Sequence, residues 1–494
     1  MTIAPDLEQK AQTLTLVEVF KVAVRTSPAL EHAAFDLAHA DAAVISANAL
    51  EDVRVVTTGD FARVNGAPIP PLTVGSKNEV YTLSLGISRI LPSNGTLELL
   101  ASGNKTNSDG FGIQKEFVTS SLKLRLTQPL LKGFGPAAQK RQILRSQRSR
   151  DAIVLRMTAT ADSFAQNLSE AYWRLALAWR ALDVRRLGVE SAQKQKKITE
   201  AATRTGKLPG SEMIAIDAAL TTREQELINA ELDVVEKSLE LRKLLGMEVT
   251  ANAIAVKTQP LPDAAGADPD LTGVTELAVR NSPDIAAGLA IAHASEAAVA
   301  GAKRDLLPRL DLRVEGGPLG TSNDVVGVDG KVRESLTRLT ERAGYAFNAN
   351  LQLELFSGRS AQRGGYLEER ATRASQYRDV ADLRAALIAN VAKQVYQVRA
   401  FRAKAKLAQR GIELSQANYD AEQKKFELGK SGNNEIVRLA DELENARLRH
   451  AQNLAELVIA LNKLDALSGV FLEGMGIKIK TGGWKLDDYL PKSR

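Results

Sequence analysis

The sequence predicts an α+β, mainly α fold, in which tandemly repeated long coiled-coil helical hairpins are combined with short amphipathic β-strands. Three observations carry this prediction: a motif that recurs in the second half of the chain, apolar residues at seven-residue steps, and short segments of strict polar–apolar alternation. The chain has 494 residues, of which 44% are hydrophobic and 25% charged. This composition excludes a disordered tail and a bundle of membrane-spanning helices.

Two copies of one sequence pattern fill the chain. The segment Ala23–Pro28 reads AVRTSP, and Ala278–Pro283 reads AVRNSP, 255 residues later. A second match pairs Gly206–Ile214 (GKLPGSEMI) with Gly429–Val437 (GKSGNNEIV). A tandem duplication of this length is the sequence signature of a repeated architecture. The predicted boundaries are a first repeat at 14–256, a linker at 257–270, a second repeat at 271–469 and a C-terminal tail at 470–494.

Each repeat is predicted to contain one long helix, at 136–205 and at 366–428. Within them apolar residues step by seven, as in Leu168, Leu175 and Leu182, which indicates helices packed with coiled-coil geometry. Such helices would be roughly 105 and 95 Å long. Shorter helices are predicted at 28–49, 211–245, 283–305 and 433–468. Because two short helices end to end nearly match one long helix, each repeat supplies one continuous and one broken helical column.

Alternation predicts six β-strands, four within 53–128 and two within 308–355. The clearest are Tyr81–Ser88, Leu122–Thr127 and Leu351–Leu355. A strand of about 9–11 residues with one apolar and one polar face fits a transmembrane barrel, although the same pattern also fits a half-buried soluble sheet. The long helices favour a tube with a barrel cap. Since a transmembrane barrel needs about eight strands, six strands require several chains for closure.

Composition excludes several other classes of function. Basic and acidic residues interleave along the chain and leave a net charge of only +6, so no nucleic-acid partner is predicted. The absence of cysteine excludes disulfides, thiolate metal sites and cysteine nucleophiles. Every window of about 18–20 residues carries charges, so no transmembrane helix is predicted. The N-terminus shows neither the basic start nor the apolar stretch of a secretory signal.

The order of these features resembles the TolC-type outer-membrane efflux and secretion channel family, over about residues 14–469. The residues that carry the resemblance are the two Ser-Pro starts, Leu306–Leu310 before a strand, Thr127–Gly133 after one, and two glycines followed six residues later by an acid. The chain departs from the family in an additional first-half hairpin, at about Thr96 to Thr127, because two strands per half are usual. The absent signal sequence is a second departure from an outer-membrane protein.

The resemblance implies a homotrimer whose helices form an α-barrel in the periplasm and whose strands form a transmembrane β-barrel shared between protomers in the cell outer membrane. It implies a passive conduit of a tripartite efflux or type I secretion system. The partners would be a periplasmic adaptor (membrane fusion) protein, an inner-membrane pump of the RND, ABC or a similar class, and outer-membrane lipid.

The family's gating position transfers to the helical tips of this chain. Glu435 and Glu212 are predicted to ring the pore constriction, where equivalent carboxylates would concentrate cations. Arg438 stands where the family often has a second acid, and it either pairs with Glu435 or links neighbouring protomers. The tip turns contain Gly206 and Gly429, which relieve backbone strain in any interpretation, and the adjacent Lys207 and Lys430, which are candidates for adaptor contact. Ordinary solvated charges near helix N-termini are the alternative interpretation of these residues.

No enzyme is predicted, and no catalytic, cofactor-binding or metal-binding residue is assigned. The four histidines lack a partner set for a metal, and no nucleophile with a base can be named. Gly429–Ser431 lacks the upstream glycine of a phosphate-binding loop, because position 424 is a lysine. Two alternatives to a channel remain at this stage: a soluble coiled-coil scaffold with small β modules, and an adhesin-like surface tube.

Overall fold

The computed structural model describes residues 11–65, 77–108, 116–206, 208–247, 255–263, 266–322, 328–341, 344–355 and 358–476. The chain divides into two compact units, and each of them is assembled from both halves of the sequence. The helical unit comprises 1–38, 153–287 and 379–494, and the strand unit comprises 39–152 and 288–378. The division of the chain into two repeats and a linker therefore stays a sequence-based prediction.

Helices make up most of the described residues. In chain order they are α1 (Leu16–Thr26), α2 (Pro28–Asn48), α3 (Pro136–Gln139), α4 (Arg141–Arg204), α5 (Ser211–Leu245), α6 (Leu271–Asn281), α7 (Pro283–Arg304), α8 (Val328–Thr340), α9 (Ser360–Glu427), α10 (Asn433–Leu467) and α11 (Phe471–Gly474). The strands are β1 (Gln12–Thr13), β2 (Arg54–Asn65), β3 (Lys77–Ile90), β4 (Thr96–Ser108), β5 (Glu116–Pro129), β6 (Val256–Lys257), β7 (Arg309–Thr321) and β8 (Gly344–Glu354).

The duplicated Ser-Pro motif starts the same structure twice. A short helix ends one residue before the serine, which is its C-cap, and a longer helix begins at the proline, with Pro28 opening α2 and Pro283 opening α7. Proline suits this first helical position because it has no N–H to satisfy and its φ is already helical. The two preceding helices, α1 and α6, were not predicted. Their N-caps are Thr15, which forms a capping box with Glu18, and Asp270.

The core of the helical unit contains the residues of the predicted seven-residue rows. Leu168, Leu175 and Leu182 are fully buried in one cluster, and Val391 and Val398 belong to a second cluster. Two aromatic side chains of α4 also fix the short parallel pair β1–β6 and its flanks. The Tyr172 hydroxyl donates to the Leu14 carbonyl at 3.0 Å and accepts from the Gln259 N–H, and the Trp179 indole N–H donates to the Val256 carbonyl at 2.8 Å.

The strand unit contains one six-stranded antiparallel sheet, in the order β2-β3-β4-β5-β7-β8. The additional first-half hairpin lies inside this sheet, because β4 pairs with β3 on one side and with β5 on the other. The strands have 11 to 14 residues. Within the sheet, β2 and β8 are the two edges.

The register sorts the strand residues onto two faces of opposite character. One face carries aligned rows such as Ile87, Leu99, Leu124, Gly316 and Phe347, and its large apolar side chains are exposed: Leu83 is 65% and Phe347 69% accessible. The other face carries polar rows such as Ser88, Glu98, Arg125 and Glu315. We call them the apolar face and the polar face of the sheet.

Helix α8 was not predicted, because its segment falls in and after a stretch assigned to a loop rich in Gly, Asn, Asp, Ser and Pro. It packs on the apolar face of the sheet, where Ser335 Oγ lies 2.7 Å from Ser120 Oγ and 3.1 Å from the Gly320 carbonyl oxygen. Glycine is required at 320, since a Cβ there would overlap with the Ser335 carbonyl oxygen.

Two further predictions differ from the structure. The long helix of the first repeat is interrupted at Lys140, and that of the second repeat begins at Ser360, six residues before the predicted start. Within the described residues, α7 is long and apolar enough to cross a membrane by length and composition, with a mean hydropathy of 1.4. The sequence-based exclusion of such a segment was therefore too strict, and a single helix of this kind is weak evidence for a span.

Candidate functional site

The tip turns reverse the chain through glycines in the left-handed region. Gly206 has φ 69° and Gly429 has φ 70°, and a Cβ at either position would meet open space, so backbone conformation rather than crowding calls for glycine. In the second turn the N–H groups of Gly429 and Lys430 donate to the carbonyls of Phe426 and Lys425, which closes the end of α9. Lys430 is exposed, and Lys207 lies outside the described residues.

Glu212 lies at the start of α5 and accepts a hydrogen bond from a different helix. Its Oε2 receives the backbone N–H of Asn433 at 2.8 Å. Asn433 is the first residue of α10, so the carboxylate satisfies one of the unpaired N–H groups of that helix and lies at the positive end of its dipole. This contact joins the two tip turns, one from each half of the chain.

Asn433 is the centre of a buried polar cluster that sequence reasoning missed. Its side chain is fully buried, and its Oδ1 accepts hydrogen bonds from Gln195 Nε2 at 2.9 Å and from Thr199 Oγ1 at 3.0 Å. Gln195 and Thr199 lie one turn apart and continue the buried seam of α4 beyond Val189 and Ala192. The sequence could have indicated this cluster, because polar residues replace apolar ones along one face of α4.

Glu435 and Arg438 form an ion pair within one turn of α10. Arg438 Nη2 lies 2.6 Å from Glu435 Oε1, and Arg438 Nε lies 3.0 Å from Glu435 Oε2. This guanidinium holds the pKa of the Glu435 carboxyl below its ordinary value. Arg438 also reaches Glu442 at 3.5 Å. Both members of the pair remain solvent-accessible, with 44% and 60% of their side chains exposed.

A second charged cluster, also missed from the sequence, links α4, α5 and α10. Arg185 Nη1 lies 2.7 Å from both Glu226 and Glu444, and Arg223 donates to Asp441 at 2.6 Å and to the Gly188 carbonyl at 3.0 Å. Burial raises the pKa of Glu444, although the hydrogen bond from Arg185 opposes this shift. The cluster lines a cavity of about 370 Å³. These contacts stabilise the packing of the first-half helices on the second-half helix.

The polar face of the sheet carries a third ionic cluster. Arg125 lies between two acids, with Nε 2.7 Å from Glu315 and Nη1 3.3 Å from Glu98, and Arg313 also reaches Glu315 at 3.4 Å. The cluster spans β4, β5 and β7, so it includes the additional hairpin. Its residues make this face hydrophilic across several strands. Among the described residues, no group of acids and histidines is arranged to hold a metal ion.

Comparisons with known proteins agree with this arrangement. Residues 274–470 match the sequence profile of a family described as outer membrane efflux protein. No curated protein sequence matches the chain significantly.

Several solved structures share the fold over nearly the whole chain. The outer-membrane channel OprN has a TM-score of 0.69 at 16% identity, covering 92% of this chain and 89% of its own. The CmeC outer membrane channel of Campylobacter jejuni has a TM-score of 0.68 at 13% identity, covering 92% and 86%. The outer membrane protein VceC of Vibrio cholerae has a TM-score of 0.66 at 14% identity, covering 92% and 96%.

The resemblance to the TolC-type outer-membrane channels is therefore confirmed, by sequence over most of the second repeat and by fold over 92% of the chain. The fold is mainly helical with a strand-rich part, as predicted. The profile match, over residues 274–470, supports an outer-membrane channel in efflux, and the alternative of a soluble scaffold is not favoured. The family and the structural neighbours are channels rather than enzymes.

Proposed function

We propose that three copies of this chain join their sheets into one transmembrane barrel and their helices into a periplasmic tunnel. The observation that carries the proposal is that β2 and β8, the two edges of the sheet, each pair with only one strand among the described residues. In lipid, an open edge leaves N–H and C=O groups without partners, which only closure removes. Because six antiparallel strands place oppositely directed strands at the two edges, β8 of one copy can pair antiparallel with β2 of the next. Such head-to-tail contacts close into a ring.

The two faces of the sheet fit a bilayer on one side and water on the other. On β3 the charged residues Glu79 and Arg89 of the apolar face enclose Tyr81, Leu83, Leu85 and Ile87. These ten steps cover roughly 34 Å along the strand, which at the usual tilt gives a band about 25 Å tall. The polar face, with the Arg125 cluster, would line the lumen. Three copies of six strands give eighteen, within the range of about 16–18 that encloses an aqueous channel in porins.

Exposed apolar helix surface also supports an oligomer. Helix α7 contains a long apolar window, yet only 28% of this window is buried within one chain. A neighbouring copy would cover this surface in the proposed tunnel. The carboxylates of Glu212 and Glu435 would lie at its narrow end, with Arg438 paired to Glu435.

The remaining parts of the proposal concern partners and location. The helical part would lie in the periplasm, where an adaptor protein would contact the tip turns near Lys207 and Lys430, and an inner-membrane pump would supply the energy. The chain itself would be a passive conduit in tripartite efflux or type I secretion.

Disulfide cross-linking of the two edges tests the shared barrel, because the chain has no cysteine of its own. Thr58→Cys in β2 is combined in turn with Asn348→Cys, Asn350→Cys and Gln352→Cys in β8, all on the polar face. Within one chain these strands are separated by four others, so any bond must join two copies. Oxidation of membranes is expected to convert at least one pair into a covalent trimer on denaturing gels.

The matched control pairs Thr58→Cys with Ser84→Cys, which are directly opposite within one chain. This control is expected to stay at the mass of a single chain after oxidation. If the control oxidises while all three edge pairs also remain single chains, the shared barrel is wrong.

A further inference from the structure

Helix α8 does not cover the apolar face completely. A groove of about 710 Å³ remains beside it, floored by β2, β3, β4 and β5. Its lining is largely apolar and includes Phe61 and Leu83 on the sheet and Val332, Leu336 and Leu339 on the helix. This volume lies within the range of about 300–1,000 Å³ in which proteins hold small ligands.

The helix that forms one wall is amphipathic. Val332, Ser335, Leu336 and Leu339 recur at helical spacing, and Ser335 contacts the sheet while the three apolar residues line the groove. Leu336, which lines the groove, is nevertheless 49% exposed. An amphipathic helix of this kind is typical of the boundary between lipid headgroups and acyl chains.

The position along the strands agrees with that boundary. The groove is lined by Tyr81, Leu83 and Leu85 of β3 and by Ala101 to Lys105 of β4, so it extends from the Tyr81 end of the apolar band toward the middle of the strands. The rings of Phe61 and Tyr81 lie 4.9 Å apart there, as in an aromatic girdle, and Lys105 lines the groove. Arg333 follows Val332 of the groove wall in sequence and is exposed, and a cation of this kind suits a phosphate.

We propose that this groove binds one acyl chain of a membrane phospholipid, with its phosphate group near Lys105 and Arg333. The inference rests on the proposed function insofar as the apolar face must lie in a bilayer. It adds a defined lipid site, in which the chain is held between α8 and the barrel wall instead of moving with the bulk bilayer. Lipid is the fitting occupant because the groove opens on the face whose exposed side chains are apolar, and because the cation Lys105 lines it.

Retention of lipid by the detergent-solubilised trimer tests the site. The probe is palmitoyl-oleoyl phosphatidylglycerol, titrated onto delipidated protein and counted by native mass spectrometry. Gly103→Phe fills the groove from its floor, since a Cβ at Gly103 meets nothing within 4 Å. Ala101→Leu is a second and smaller filling variant. Ala349→Phe is the matched control, on the apolar face of β8 and outside the groove lining.

We expect saturable binding of one lipid per chain to the wild type and to Ala349→Phe. The filling variants should bind the same lipid at least tenfold more weakly. Equal binding by all variants, or no retained lipid on the wild type, would overturn the groove assignment. The heat-sensitive trimer and its conductance in planar bilayers are recorded in parallel. Their loss in the wild type would contradict the proposed channel, whereas intact trimers that fail to discriminate between the variants contradict only the lipid site.

Discussion

Asn433 and Asn434 are adjacent in α10 but have opposite environments. Asn433 is buried and accepts hydrogen bonds from Gln195 and Thr199, whereas Asn434 is exposed. Asn433→Ala leaves a buried amide without its acceptor, and we expect the free energy of local opening at the tip to fall by about 2 kcal/mol. Hydrogen exchange of peptides covering 190–206 and 428–440 measures this free energy of local opening. Asn434→Ala is the control, and equal exchange in both variants would contradict the buried cluster as a source of stability at the tip.

Asp162 on α4 makes the stability of the helical unit depend on pH. Burial, with a contribution from the nearby charge of Asp284, raises the pKa of Asp162 from 3.8 to about 6. The folded chain therefore binds this proton more tightly than the unfolded chain, so stability falls as pH rises between these values. A shift of this size corresponds to about 3 kcal/mol, which solvent screening of a half-buried group reduces to roughly 1 kcal/mol.

Asp162→Asn removes the free-energy cost of holding a charged carboxylate at this half-buried position. It is expected to raise the thermal unfolding temperature at pH 7.5, where the wild-type carboxyl is charged, and to change little at pH 4.5, where it is protonated. Circular dichroism of the detergent-solubilised protein follows the transition. Asp183→Asn, at an exposed position of the same helix, is the control. A stabilisation of the same size at both pH values would show that the effect is not one of charge.

At the scale of elements, the sequence predicts helices and strands whose hydrophobic pattern is sustained over many residues or whose ends are marked by a glycine turn. The starts of α5 at Ser211 and α10 at Asn433 were predicted to the residue, because each follows a glycine turn and opens a long apolar seam. The six strands were predicted because strict alternation over several residues matches the two-residue period of a strand and not the period of a helix. The early start of α9 was hidden by Gly364 and Gly365, which weaken a helix without ending it when the surrounding helix is long.

Elements that depend on tertiary contact were not predictable in the same way. Helix α8 has only 13 residues and lies in a segment whose composition indicates a loop. It is stabilised by its packing on β5 and β7, which Gly320 permits. The polar clusters at Asn433 and Arg185 join residues more than 200 positions apart in the chain. The spacing of residues along the sequence carries no information on such pairs. Helix α1, by contrast, could have been predicted from the capping box at Thr15.

At the scale of the whole molecule, the Glu435–Arg438 pair on α10 and the Arg125 cluster on the polar face of the sheet would differ in their effect on passing ions. In the proposed trimer the tip would bring three Glu435–Arg438 pairs together at the narrow end, while three Arg125 clusters would line a wide barrel. Charges act on passing ions within a Debye length of about 8–10 Å at physiological salt. A narrow ring therefore controls selectivity, and a wide lumen contributes little.

This difference predicts the direction in which substitutions at the tip change the ratio of potassium to chloride permeability in planar bilayers. Arg438→Gln removes the counterion of Glu435 and should raise the ratio several-fold, since three unpaired carboxylates then face the pore. Glu435→Gln leaves the arginines unpaired and should lower the ratio below that of the wild type. Glu98→Gln also removes an arginine-paired acid, but in the barrel, and should leave the ratio unchanged. If Glu98→Gln shifted selectivity as strongly as Glu435→Gln, the constriction would lie in the barrel, and the tip would have lost its proposed role.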